Sequence, residues 1–546
     1  MERRGASGSG IPLRHARARG RWGGAVCGVA AALLLATSGC TSLPQWLSNG
    51  LKVGPNYCKP AAPIESQWID FERDPRVSEA PADLSAWWTI FNDPVLDGLI
   101  ETAAQQNLTL REAGTRILQG QAVRGIAAGN LFPQAQQAYG GYDRVQASRT
   151  IANSPPDKHF DVWTGGFNLS WELDFWGRYR RALESADAVL DSTIEGYDNV
   201  LVLLLSDVAT TYVQIRTLQE ELRLLNENVA YQQESYRIAS VQFDAGQANA
   251  ADTLQTRNNI EQTQALIPPL EAALRQANNA LCVLLGIPPR DLLPELGEGV
   301  IPVAPPNVAL GIPAELLRRR PDIRQAERLV AAQSAQIGVA ESELYPHFAI
   351  NGALQWQSKN LSDLFTPASV GGSVGPSFVW NILNYGRIRN SIVQQEALFE
   401  QAAYAYQSTV LGAQREAEDA IVGFLKAQEQ AESLTLAVRD IRELNQVLLT
   451  QANAGATDFD RVFVVQAQAT AQMDNLATSR GSIALNLIRI YRALGGGWQI
   501  RLLPPPTGPE LVAAPLVNPM EAGVEPTEPA PPTPDAEPIP PPGGAL

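Results

Sequence analysis

Histidine and cysteine are scarce in this chain, and their scarcity excludes whole classes of chemistry. Three histidines (His15, His159, His347) and four cysteines (Cys27, Cys40, Cys58, Cys282) are spread over 546 residues. None forms a Cys-x-x-Cys or another paired ligand spacing, so no zinc site and no histidine-centred catalysis is expected. Gly-x-Gly-x-x-Gly, Gly-x-x-x-x-Gly-Lys-Ser/Thr and Gly-x-Ser-x-Gly are all missing, which removes the common nucleotide-binding and hydrolase signatures. The expectation is a protein that is not an enzyme and carries no cofactor. Long apolar runs are too few for a polytopic helical membrane protein. Basic residues number 42 against 57 acids, a net charge of -15, so a nucleic-acid partner held on a basic face is not expected.

What is present begins with a targeting segment. Six arginines (Arg3, Arg4, Arg14, Arg17, Arg19, Arg21) precede an uncharged stretch, Gly23 to Gly39, that ends Ala-Thr-Ser-Gly before Cys40. A basic region, an apolar region and small residues at a cleavage point are the layout of an export signal. Seventeen residues rich in Gly and Ala fall short of a membrane span. Thr37-Ser38-Gly39-Cys40 resembles a bacterial lipobox, with Thr37 where that pattern usually has leucine, and the resemblance implies acylation of Cys40. At the far end, residues 504–546 hold fifteen prolines, six acids and no Lys or Arg, an expected extended, solvated tail.

Between these ends the chain repeats itself. Trp171, Gly177, Arg178, Arg180, Gly246, Leu285 and Gly286 recur 209 positions later as Trp380, Gly386, Arg387, Arg389, Gly455, Leu494 and Gly495. Leu131-Phe132-Pro133 answers Leu344-Tyr345-Pro346 at an offset of 213. The first copy therefore carries four extra residues between proline and tryptophan, an insertion expected in a loop. The expected organisation is a signal peptide (1–39), a lipidated N-terminal and equatorial segment (40–93), a first repeat (94–286), a Pro-rich connector (287–313), a second repeat (314–495), the end of the equatorial region (496–503) and the tail (504–546).

Each copy changes period. Leu218, Leu222, Leu225, Val229, Gln232, Tyr236, Ala239 and Phe243 step by four and three, as do Leu434, Val438, Ile441, Asn445, Leu448 and Ala452, which predicts coiled-coil helices. No proline interrupts 178–247 or 387–456, so each stretch can run as one helix of ~100 Å. Gly246 and Gly455 mark turns into return helices, and Pro268-Pro269 should break the return helix of the first copy only. Ahead of the long helices the period becomes two. Trp163, Phe167, Leu169, Trp171 and Leu173 alternate with polar or small residues, as do Phe348, Ile350, Leu354 and Trp356, and then Val370, Val374, Phe378 and Trp380. Such strands have one apolar and one polar face, and fit either a membrane barrel or a half-buried soluble sheet. Two strands per copy make about four per chain, too few to close a barrel, so a chain in lipid must associate.

Four segments together resemble one family: Val53-Gly54-Pro55-Asn56-Tyr57, Trp87-Trp88-Thr89-Ile90-Phe91-Asn92-Asp93-Pro94, Ser170-Trp171-Glu172-Leu173-Asp174 with Gly177-Arg178, and Arg320-Pro321-Asp322-Ile323-Arg324-Gln325-Ala326-Glu327. They are similar to the TolC-type outer-membrane efflux channels, in the lipoprotein branch serving resistance-nodulation-division pumps. The resemblance implies a mixed α and β membrane protein, internally duplicated, in which a homotrimer forms a 12-stranded transmembrane β-barrel and a long α-helical coiled-coil barrel. It implies an exit duct in the cell outer membrane, lipid-anchored and largely periplasmic, whose partners are a periplasmic adaptor and an inner-membrane pump. A type I protein secretion duct and a non-conducting, lipid-anchored coiled-coil scaffold are the alternatives. The family narrows its tip with acids six and nine positions after the second hairpin glycine. Here those positions are Arg461 and Val464, with Asp458 and Asp460 close by and Asp252 at the matching turn. These residues form either a pore tip or a solvated turn that caps helices.

Overall fold

The computed structural model describes residues 42–502 except 71–72, 79, 81–82, 149, 151–156, 247–248, 455 and 458. The export segment, Cys40 and the Pro-rich tail lie outside the described residues, as do Gly455 and Asp458.

Duplication in the sequence becomes duplication of elements. The first copy runs α2 (Pro94–Gln106), α3 (Leu108–Gly129), β1 (Ala135–Gln146), β2 (His159–Leu173), α4 (Arg178–Asp244), α5 (Ala250–Gln264) and α6 (Ile267–Leu284), after a short α1 (Leu43–Ser48). The second runs α7 (Pro321–Ser342), β3 (His347–Ser358), β4 (Val370–Val379), α8 (Arg387–Asn453) and α9 (Phe459–Ala493). The long helices α4 and α8 have 67 residues each, about 100 Å at 1.5 Å per residue. Both begin after a glycine in the left-handed region, Gly177 at φ 83° and Gly386 at φ 82°, where a side chain would be strained. The repeated tryptophans do the same work in each copy. Trp171 Nε1 donates to the Leu131 carbonyl at 3.2 Å and Trp380 Nε1 to the Leu344 carbonyl at 3.0 Å. The return helix is divided between Gln264 and Ile267 ahead of Pro268-Pro269, whereas α9 is unbroken.

The four long strands form one antiparallel sheet in the order β1-β2-β3-β4. The register corrects the expected place of the insertion. β1 pairs with β2 from Ala135↔Ser170 to Gln146↔His159, twelve pairs, while β3 pairs with β4 from His347↔Val379 to Trp356↔Val370, ten pairs. The first ladder is longer than the second by two cross-strand pairs, which is four residues, so the insertion goes into pairing and not simply into a longer loop. An even increment keeps every side chain on its own face; an odd one would invert the strand.

The core sits where the repeats meet. Trp87, Trp88, Leu96 and Ile100 pack with Leu205 and Tyr212 of α4, Phe424 of α8 and Leu487 of α9, and Trp87 stacks on Tyr491 at 5.5 Å. α4 contains a stretch apolar and long enough to cross a membrane, but most of that stretch is buried within the protein. A second apolar cluster joins Ile441, Leu448 and Ala452 of α8 to Val462 and Phe463 of α9. Here the heptad register predicted for α8 is followed, with Val438, Ile441, Leu448 and Ala452 buried. The register predicted for α4 is followed in part: Leu225, Val229, Gln232 and Ala239 are buried, but Tyr236 and Phe243 are exposed. The contact face of α4 turns instead onto Asn228 and Ser235, because its neighbour α9 presents polar side chains there.

Candidate functional site

The sheet has one mainly apolar face and one mainly polar face, most sharply divided near the middle of the strands. Cross-strand partners share a face, so Phe167↔Leu354, Trp171↔Ile350, Phe348↔Phe378 and Gly352↔Val374 place an apolar surface on one side. The opposite face carries Asn168↔Ala353, Ser170↔Asn351 and Asn351↔Gly375. On that face Ser170 Oγ donates to Asn351 Oδ1 at 2.8 Å, Asn351 Nδ2 to Ser377 Oγ at 2.7 Å, and Tyr139 Oη to Gln355 Oε1 at 3.3 Å. Phe167, Leu169, Leu354, Val374 and Phe378 are exposed although large and apolar. β1 and β4 are the outer strands of the sheet, each hydrogen-bonded to another described strand on one side only. Strand β1 is the second strand expected of the first copy, but alternation does not locate it, since Ala-Gln-Gln-Ala-Tyr-Gly-Gly-Tyr offers no apolar period; its pairing with β2 places it.

Where the sheet meets the long helices, an N-terminal strap is held by two arginines. Arg181 is buried and donates to the Val53 and Gly54 carbonyls at 3.0 Å each. Arg180 donates to the Gly50 and Leu51 carbonyls at 2.7 and 2.9 Å and pairs with Asp174 at 2.8 Å. Lys52 pairs with Glu184, and Lys59 with Glu327 at 2.6 Å. Trp46 of α1 stacks on Phe175 at 5.3 Å, and Trp176 stacks on Tyr345 at 4.5 Å. The strap therefore begins beside an aromatic cluster at the base of the sheet. On the polar side of the same junction Glu172 gathers Arg178 at 3.5 Å, His347 Nδ1 at 2.8 Å and Tyr179 Oη at 2.9 Å. Burial and the bond to Glu172 push the Tyr179 phenol up to about 12.

At the middle, one buried arginine clamps the second repeat and another holds the connector. Arg320 donates to the Ala493 carbonyl at 2.9 Å and pairs with Asp322 and Glu416 at 2.6 and 2.9 Å. Arg216 donates to the Leu296 and Gly297 carbonyls and to Tyr212 Oη, while Tyr212 donates to Asp93 Oδ2 at 2.6 Å. Asp93 also accepts from the Val95 and Leu96 amides and caps α2. The Trp-Trp and Arg-Pro-Asp segments of the sequence are thus packing and clamping elements.

Toward the hairpin ends, α9 has two different seams. Against α8 it is apolar. Against α4 it is polar: Thr478 Oγ1 donates to Glu221 Oε1 at 3.0 Å, Gln466 Nε2 to Ser235 Oγ at 2.8 Å, and Asn228 bonds Thr470. Burial pushes the Glu221 and Asp474 carboxyls up, and the nearby Asp474 charge adds to the shift at Glu221. Gly246, at φ 72°, lies in the first turn. Asp252 accepts from the Asn249 amide at 3.1 Å and completes a capping box on α5. Gln242 Nε2 donates to the Ala452 carbonyl at 3.3 Å, so both hairpin ends lie side by side. Arg461 and Val464 are exposed on the first turns of α9, beside buried Val462 and Phe463. Asp460 lies on α9, and only its backbone is described. Among the described residues no group of three or more His, Cys, Asp or Glu side chains is placed to hold a metal ion.

Residues 99–287 and 312–496 match the family model described as outer membrane efflux protein. The chain is 30% identical over 488 residues to nodulation protein T of Rhizobium leguminosarum bv. viciae, covering 87% of this chain and 96% of that protein. It is 31% identical over 428 residues to the pyoverdine export outer membrane protein OpmQ of Pseudomonas putida, covering 76% and 88%. The solved outer-membrane channel OprN aligns with a TM-score of 0.76 at 30% identity, over 82% of this chain and 99% of that one.

Proposed function

The chain belongs to the outer membrane efflux protein family, and from that premise we propose that it is the passive exit duct of a tripartite efflux system, working as a homotrimer. The fold is that of the TolC-like channels, a channel and transport family and not an enzyme family, and its place is the outer membrane. The observation that carries the reading is a four-stranded sheet, mainly apolar on one face and mainly polar on the other, whose two outer strands pair with no further strand among the described residues. In lipid each unpaired backbone group costs several kcal/mol, so the edges must be closed by other copies. Two copies would give eight strands, whose interior is filled by side chains; three give twelve and leave room for solutes. In the trimer the Ser170-Asn351-Ser377 face lines the lumen and the Phe167-Leu354-Val374 face meets lipid.

Six long helical hairpins, two per chain, then continue the duct through the periplasm to an adaptor and an inner-membrane pump. The hairpin ends narrow the pore, with Asp252, Asp458, Asp460, Arg461 and Val464 at the tip beside Gly246 and Gly455. Cys40 carries the acyl anchor, and the strap from Ser42 to Lys59 leads it to the base of the barrel. Opening parts the polar seam between α4 and α9. Water replaces its hydrogen bonds at a net cost of only ~1 kcal/mol each, while the apolar α8-α9 pair moves as one body. The energy comes from the pump. Purified protein is expected to cross-link as a trimer and to conduct ions across planar bilayers; a monomer without conductance would overturn the reading.

A further inference from the structure

The long hairpins carry a cavity that the duct itself does not require. A trough of about 590 Å³ opens between α4, α8 and α9. That volume is in the range of small-molecule sites. Its floor is apolar, made by Leu224, Val438, Met473, Leu476 and Ala477. Its rims are basic: Arg223, Arg439, Arg442 and Arg480 face two carboxylates, Glu220 and Glu443. The lining is therefore net positive by two, within a chain of net charge -15.

The four guanidinium groups are not equivalent. Arg223 is held by Glu220 and Glu227 at 2.8 and 3.2 Å, and Arg439 by Asp440 at 2.9 Å. Arg442 and Arg480 are paired with no described carboxylate within 4.0 Å. Arg442 instead reaches Met473 Sδ at 3.9 Å, directly above the floor. The hydrogen bond from Arg223 holds the Glu220 carboxyl below the usual range, and the Arg480 and Arg442 charges add to the effect, so their positive field reaches into the trough. Two guanidinium forks with no ion-paired acid, over a thioether and aliphatic floor, are complementary to a ligand with an apolar body and an anionic head.

We propose that this trough binds an amphiphilic organic anion, one sulfonate- or carboxylate-bearing molecule of a few rings per chain. The ring system lies on Met473 and Leu476 and the anionic head is taken by Arg442 and Arg480. The site lies in the wall of the helical hairpins, far from the sheet, and is independent of the conductance argument.

The test uses the full chain in lipid nanodiscs, with empty nanodiscs as the blank, titrated with 1-anilinonaphthalene-8-sulfonate and with its uncharged counterpart N-phenyl-1-naphthylamine. The sulfonate should bind saturably, and Arg442→Ala with Arg480→Ala should weaken it by about tenfold or more, the loss of charge-assisted hydrogen bonds, leaving the uncharged amine unchanged. Arg116→Ala, on a distant surface helix, should change neither. Met473→Trp, which fills the floor and keeps every charge, should exclude both dyes. Conductance measured on each variant reports whether the channel is intact, separately from binding. Equal sulfonate binding by the double variant, equal loss of both dyes in it, or no saturable binding to the intact channel would each overturn the proposal. The last result, with the Arg442 segment protected from hydrogen exchange, would mean that a neighbouring helix fills the trough.

Discussion

Gly54 lies so close to Gly338 of α7 that a Cβ on Gly54 would stand 2.4 Å from the Gly338 Cα. Gly54 also has φ 81°. The N-terminal strap thus touches the second repeat backbone to backbone, while its carbonyls bind Arg181 of the first. Gly54→Ala must displace the strap, since the obstacle is main chain. It should lower the melting temperature of the assembled protein and cut its yield in the outer membrane. Gly50, at φ 68° with nothing within 4 Å of its Cβ position, is the control: Gly50→Ala should cost only ~1 kcal/mol of backbone strain. Equal effects at both positions would show that contact with Gly338 is irrelevant.

Arg320 should prove the most sensitive polar residue at the start of the second repeat. Its guanidinium joins a helix-end carbonyl to two carboxylates from different segments. Arg320→Met should destabilise by about 3 kcal/mol, the usual scale for breaking a buried charged network. Arg320→Lys should recover only part of this, because an ammonium cannot fork between the three acceptors. Thermal unfolding in detergent, compared across the three proteins, checks the order.

Neighbouring residues on β4 should respond oppositely to charge. Val374 sits on the apolar face opposite Gly352, and Ser373 on the polar face opposite Ala353. Val374→Arg should cost up to about 2–4 kcal/mol of barrel stability and reduce the heat-resistant trimer on gels. Ser373→Asp should assemble normally and shift ion selectivity toward cations. If Val374→Arg assembles as well as wild type, the apolar face does not meet lipid.

The α4-α9 seam should tighten in mild acid. Burial raises the Glu221 carboxyl above its ordinary value of 4.5. Its contribution to the closed seam is therefore full below that value and is lost as pH rises through the raised one. Burial shifts Asp474 in the same direction. Channel opening measured in planar bilayers should fall as pH is lowered from neutral toward the carboxylate range. Glu221→Gln should flatten this dependence and favour the closed state at neutral pH. An unchanged pH profile in Glu221→Gln would assign the dependence elsewhere.

Acylation at Cys40 is directly measurable. Labelled palmitate should enter the wild-type protein and be absent from Cys40→Ala. Labelling that survives the substitution would place the anchor at another residue.

Most of the architecture was legible because it rests on period and repetition. The 209-residue offset holds at both ends of the long helices, 178 to 387 and 244 to 453, since each is an uninterrupted helical stretch started by a left-handed glycine. Three strands were legible from strict alternation of large apolar and small polar residues. β1 was not, because its glycines, glutamines and alanines carry too little contrast, and neighbouring β2 dictates its conformation. The signature segments announced a family without disclosing that Asp93 bonds Tyr212, or that Arg320 clamps the end of α9.

By itself the sequence determined helix length, the number of repeats and the two-faced character of the strands, because each depends on residues near one another along the chain. Tertiary structure alone decided which face of α4 meets α9, where the four inserted residues went, and that Arg442 and Arg480 share one trough with no ion pair to either among the described residues. Those outcomes depend on which distant side chains arrive together, and a side chain's free energy is settled by its neighbours in space.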